Sequence, residues 1–172
     1  MKIVFLIAAC CSVLAVALIC IFLFMNGVPA IFKIGPLKML GDGALGARTA
    51  FLSRPYADDP STCGIPVFTQ ETMDEMIGYA NAHGMQAAVH TIGDACLDRV
   101  LSAYEKALAE NPREDHRHGI VHCQITRADQ LEKIAKMHLH VYAQSIFLDY
   151  DNHIVEAVSY THLRAHETGA YL

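Results

Sequence analysis

MQAAVHTIGDACLDRVLSAYEKALAENP, from Met85 to Pro112, carries two periodicities in succession. Met85 to His90 is a short apolar run closed by a polar residue, the pattern of a buried strand. From Ala95 to Glu110 the positions Leu97, Val100, Leu101, Tyr104 and Leu108 recur at helical spacing, and Asn111 and Pro112 end the pattern. The alternation extends in both directions. Upstream, Ile34 to Leu40 is a candidate strand, and Gln70 to His83 an amphipathic helix with Met73, Met76, Ile77 and Ala80 on one face, Thr69 as its cap and Gly84 as its stop. Downstream come a strand at Gly119 to His122, a helix at Arg127 to Met137 through Leu131, Ile134 and Ala135, and a strand at Leu139 to Gln144. The order is β-α-β-α-β-α-β. Strands joined by crossover helices pair in parallel, so the fold class is α/β, either an open doubly wound sheet or an arc of a (β/α)8 TIM barrel. No GxGxxG follows a strand. Gly41, Gly43 and Gly46 instead lie in a loop leading to Pro55 and Pro60, which argues against a dinucleotide site.

The chain has 172 residues, one small domain's worth, with 13 Lys and Arg against 18 Asp and Glu. Nucleic acid is not an expected partner on this balance. The basic cluster at Arg113 and Arg117 is interleaved with Glu114 and Asp115, whereas a phosphate grip needs a basic stripe. Cys10, Cys11 and Cys20 fall in an apolar run, and Cys63, Cys96 and Cys123 are scattered singly without CxxC spacing. This usage predicts a reduced, cytoplasmic setting for the middle of the chain.

The two ends read differently from residues 31–157. Between Ile3 and Met25 only Ser12 is polar, and such a run, as a helix, would extend roughly 34 Å, enough to cross a bilayer. Residues 1–30 are therefore expected to be a hydrophobic helix, either a transmembrane anchor or an assembly artefact foreign to the natural gene. At the other end, VSYTHLRAHET (Val158–Thr168) places His162 and His166 four apart, a spacing that can hold a metal on a helix. The same string resembles the translation of a transposon-type sequencing adapter. That resemblance implies that residues 158–172 are a disordered tail without a selected role, appended to a truncated environmental fragment.

Polar or metal-capable residues recur at the predicted strand ends: Lys38 and Asp42, His90 and Asp94, His122 and Gln124, Gln144 and Asp149. In a barrel these ends share the face where catalytic groups collect. His90 and His122 lie one βα repeat apart, so adjacent strands would bring two neutral imidazoles together, a donor pair suited to Zn²⁺. Asp94 either fixes a histidine tautomer or caps the helix that begins at Ala95. Lys38, in an apolar strand, either pairs with Asp42 or, desolvated, reacts with CO₂ to give a carbamate that bridges metals. Arg48 either clamps a substrate carboxylate or pairs with Asp42 or Asp58. His83, His116, His118, His138, His140 and His153 fall on helix ends or loops and are expected to be exposed.

KMLGDGALGARTA (Lys38–Ala50), AVHTIGDACLDRVLSAYE (Ala88–Glu105), HGIVHCQ (His118–Gln124) and YAQSIFLDYD (Tyr142–Asp151) resemble successive motifs of the metal-dependent amidohydrolase superfamily, in its N-substituted formamide deformylase-like branch. The resemblance covers about residues 34 to 157. It implies strands 4 to 7 of a (β/α)8 barrel, with Lys38 at the metal-bridging position, His90 and His122 as metal ligands, Arg48 at the substrate, and Asp42, Asp94 and Gln124 around them. It also implies a divalent metal, zinc in one or two copies, and hydrolysis of a small-molecule amide or formamide C–N bond. The family's HxH pair of strand 1 and the catalytic aspartate of strand 8 have no counterpart here. The chain is accordingly expected to carry no complete catalytic set, to bind metal weakly or not at all and to be inactive in isolation. The alternative from another class is a membrane-anchored, non-catalytic α/β binding module.

Overall fold

The computed structural model describes residues 12–22, 25, 37–146 and 154. Residues 12–22 are helical. Among the described residues no helix is long and apolar enough to cross a membrane, so the anchor expected over residues 3–25 is not supported. Its other positions, residues 158–172 and Asp149 lie outside the described residues.

The α/β part runs β1 (Leu37–Leu40), α1 (Gln70–Ala82), β2 (Ala87–Thr91), α2 (Asp94–Glu110), β3 (Gly119–His122), α3 (Ala128–Lys136), β4 (His140–Tyr142). The four strands form one parallel sheet in the order β1-β2-β3-β4. Of the two architectures left open by the sequence, the sequential order is consistent with the barrel arc. Parallel crossovers share one hand, so strands added always on the same side carry all their helices to the same face, as in a barrel wall. A doubly wound sheet would reverse its order at a switch point.

Strand alternation assigns the two faces. Met39, Ala87, Val89 and Ile120 are buried and pack with Met73, Ile77, Leu97, Val100, Leu101, Tyr104 and Ile134 from the helices. Lys38 and Leu40 of the opposite face are exposed, while His90 and Val121 are half-buried. Each helix starts for a local reason. Thr69 accepts from Thr72 N–H at 3.3 Å and caps α1. The Arg127 N–H donates to Gln130 Oε1 at 3.0 Å at the start of α3. Gly84, with φ of +73°, ends the turn after α1. Two inward residues expected from periodicity are not core: Leu108 is half-buried and Ala135 exposed, because Ala103, Ala107 and Ile134 occupy the contact line.

Beyond the C-terminal strand ends, the loops build a second small core. Leu45, Ala50, Leu52, Tyr56, Ile92 and Ile125 bury one another there, and the Tyr56 hydroxyl donates to Ala50 O at 2.7 Å. Backbone bonds continue the ladder past the strands: Gly41 N–H to His90 O, Cys123 N–H to Thr91 O and Ile125 N–H to Ile92 O.

Candidate metal centre

His90 is the penultimate residue of β2, on the face without helices, and its side chain is 17% exposed. Register pairs His90 with Val121, and Thr91 with His122. By alternation alone His122 would turn toward the helices, on the side opposite His90. The two rings nevertheless lie 4.8 Å apart, edge to face at 77°. The backbone explains this: His122 and Cys123 take φ of +74° and +54°, left-handed conformations that break alternation at the strand end. Such consecutive positive values in residues other than glycine store strain, which clusters at functional sites.

Asp42 stands beneath this pair. Its carboxylate is fully buried and accepts from Ile92 N–H (3.0 Å), Gly93 N–H (2.7 Å) and Phe51 N–H (3.0 Å). Its Oδ1 lies 3.3 Å from His90 Nδ1, a buried atom with no aligned hydrogen bond. Asp42 therefore ties together the turns after β1 and β2, and it is not the partner expected for Lys38.

Lys38 is two positions before Leu40, the register partner of His90, and so shares the His90 face. It is exposed. The burial expected for it from its apolar strand is not found. Arg48 donates to Asp58 through Nε (3.2 Å) and Nη2, and to Gly46 O (2.7 Å), which realises the ion-pair alternative. That pairing lowers the Asp58 pKa. Asp94 fills neither expected role: Gly93 is the cap, and Asp94, the first residue of α2, accepts from Ser53 N–H (2.9 Å) and Arg127 Nη1 (2.8 Å). Gln124 is half-buried in the loop after β3.

Two histidines expected at the surface are buried at the other end of the strands. His118 is fully buried; its Nδ1 accepts from Ala87 N–H (3.0 Å) and its Nε2 lies 3.1 Å from Asn81 Oδ1. His116 Nδ1 accepts from His118 N–H (2.9 Å) and its Nε2 meets Met137 O (3.0 Å). All four nitrogens are engaged within the fold, so this HRH triplet is structural. His83, His138 and His140 are exposed as expected.

The metal implied by the resemblance can be tested against the donor set. Two imidazoles converge, one backed by a carboxylate, which fits two ligands of a borderline divalent ion. Among the described residues no group of three or more His, Cys, Asp or Glu is placed to hold a metal, so further donors are needed for a full shell.

Comparison with known proteins gives a consistent result. The amidohydrolase family matches residues 25–170, a range that includes the adapter-like segment. The Bacillus subtilis protein YtcJ, named as an amidohydrolase, is 40% identical over 119 residues, 69% of this chain and 22% of its own length. The Arabidopsis thaliana protein LONG AFTER FAR-RED 3 is 31% identical over 106 residues, 62% of this chain and 18% of its own. A crystal structure described as an uncharacterized metal-dependent hydrolase from Pyrococcus furiosus superposes with a TM-score of 0.62 at 38% identity, covering 71% of this chain and 24% of that one. A Pyrococcus horikoshii hydrolase of the same description gives 0.62 and 38% over 70% of this chain and 24% of its own. The chain thus spans about a quarter or less of the length of these relatives.

Proposed function

Because this chain belongs to the amidohydrolase family, we propose that it is the strand 4 to strand 7 wall of a metal-dependent hydrolase barrel that cleaves a non-peptide C–N bond in a small amide or formamide. The observation that carries the reading is the convergence of His90 and His122 at the C-terminal ends of adjacent parallel strands, achieved against strand alternation. In barrels that end of the sheet holds the chemistry.

His90 and His122 would supply two neutral nitrogen donors to a divalent ion, and imidazole donors favour zinc. Such an ion, when bound, polarises a carbonyl oxygen and lowers the pKa of water. The strand-borne imidazoles fix where the reacting carbonyl must come, and Asp42 keeps one of them from turning. Lys38, on the same face, offers an amine that can become a carbamate ligand once covered. Arg48 stands in the loop after β1, where a substrate carboxylate could replace Asp58 as its partner. Free Cys63, Cys96 and Cys123 support a reducing, cytoplasmic setting.

The isolated chain is assigned weak metal binding and no turnover. Equilibrium dialysis with zinc, followed by assay on a panel of N-substituted formamides and amides, tests both. We expect one weakly held zinc per chain, lost in His90→Ala and His122→Ala, with no hydrolysis above buffer. Failure to bind zinc overturns the metal reading; turnover that disappears in either variant overturns the assignment of inactivity.

A further inference from the structure

We infer that Arg127 is a positioning residue for His122: its bonds to Asp94 and Asp98 at the start of α2 hold the left-handed turn that carries the His122 ring to His90. This rests on the two-imidazole reading above and adds to it a residue from the start of the following helix.

Strand alternation alone would send His122 toward the helices, and positive φ at His122 and Cys123 redirects it. Such backbone is costly for residues with a Cβ and persists only where the surroundings over-determine it. The turn is pinned near its start by backbone bonds, Cys123 N–H to Thr91 O (3.0 Å) and Ile125 N–H to Ile92 O (2.9 Å). Thr126 closes it internally, donating from Oγ1 to Cys123 O at 3.0 Å. Its far end is Arg127, at the N-cap position of α3. An arginine side chain has no acceptor to offer a helix start, where Ser, Thr, Asp or Asn would serve better. What it does offer is a planar fork of donors. Nη1 donates to Asp94 Oδ2 (2.8 Å), and Nη2 to both Asp98 oxygens (2.7 and 3.0 Å). Asp94 is fully buried and accepts Ser53 N–H (2.9 Å), so the guanidinium meets a fixed partner. Gln130 adds a parallel tie, from Nε2 to Asp94 O and Asp98 Oδ1, each at 2.8 Å. The start of α3 is therefore fastened to the start of α2, and residues 123–126 alone separate it from His122. Across so short a span, releasing α3 lets the turn relax toward ordinary strand backbone, which swings His122 away from His90.

The test follows nuclear Overhauser contacts between ring C–H protons in the full chain, metal-free, with ¹³C-labelled histidine. The signals missing from His90→Gln and His122→Gln assign the two rings. In the unaltered chain His90–His122 and His116–His118, both with ring centroids 4.8 Å apart, should each give a cross peak. Arg127→Gln should lose the first and keep the second, which lies at the opposite end of the strands. Arg127→Lys, retaining the charge without the fork, should weaken the first less. Lys106→Gln, which removes another ion pair of α2, should change neither. A His90–His122 cross peak at full strength in folded Arg127→Gln overturns the proposal, as does its absence from the unaltered chain. Loss of both peaks in a variant that still folds would make Arg127 a general stabiliser and overturn it too. If Arg127→Gln does not fold, Asp98→Ala decides, since it removes the more exposed half of the contact: the first peak must fall there with the second unchanged. Zinc added to the unaltered chain judges the metal reading separately. Unshifted His90 and His122 rings refute that reading, while the role of Arg127 stands on the metal-free spectra.

Discussion

His118 uses both ring nitrogens inside the fold, and this sets a pH limit on the protein. It stacks on Tyr104 of α2 at 5.2 Å and on His116 at 4.8 Å, faces Asn81 of α1, and lies near Arg113. Burial, then His116, then the Arg113 guanidinium push its pKa down to about 4. An unfolded chain takes up the same proton near the ordinary histidine value of about 6.5. The contribution of neutral His118 is therefore complete above that value and is lost as pH falls through the window down to about 4. Denaturant midpoints of the unaltered chain should drop across that window, and those of His118→Gln should drop less. Parallel curves would contradict the assignment. The burial of His118 and His116 was hard to read from sequence, because one-residue alternation in HRH appears equally in an exposed loop. The partners that hold them inside are remote: His118 meets Asn81, 37 residues away on a helix face that hydropathy marks as unremarkable, and His116 meets Met137 O.

At the scale of elements, strand and helix order was legible because apolar spacing, the Thr69 cap and the Gly84 stop all act locally. The segment between β1 and α1 was not, since its shape is fixed by contacts across some fifty positions, Asp42 to Ile92 and Gly93 above all. Gly93 shows how tight that junction is: a Cβ there would fall 2.0 Å from Phe51 O. Its φ is ordinary, so the requirement is for close approach rather than for left-handed backbone. Gly93→Ala should destabilise the chain by about 2 to 3 kcal/mol, read as a lowered denaturation midpoint at unchanged m-value. An unchanged midpoint would show that the loop does not pack on α2 as described. The site was legible in part for the same reason. Strand-end histidines can be found from pattern, but their meeting depends on left-handed backbone at His122 and Cys123, which no residue type there announces.

At the scale of the whole molecule, a sequential parallel sheet with helices on one face leaves Lys38, Leu40 and the half-buried His90 on the other. That is the geometry of a barrel wall, and the relatives, of which this chain spans about a quarter or less, include structures described as metal-dependent hydrolases. His90 and His122 are proposed to act as one metal centre. Titrating zinc into the chain while following the ring nitrogens of all its histidines tests it most directly. His90 and His122 should shift together at one midpoint, before the exposed histidines, while His116 and His118 stay fixed. Independent midpoints for His90 and His122, or zinc collected first by any other histidine, would contradict it.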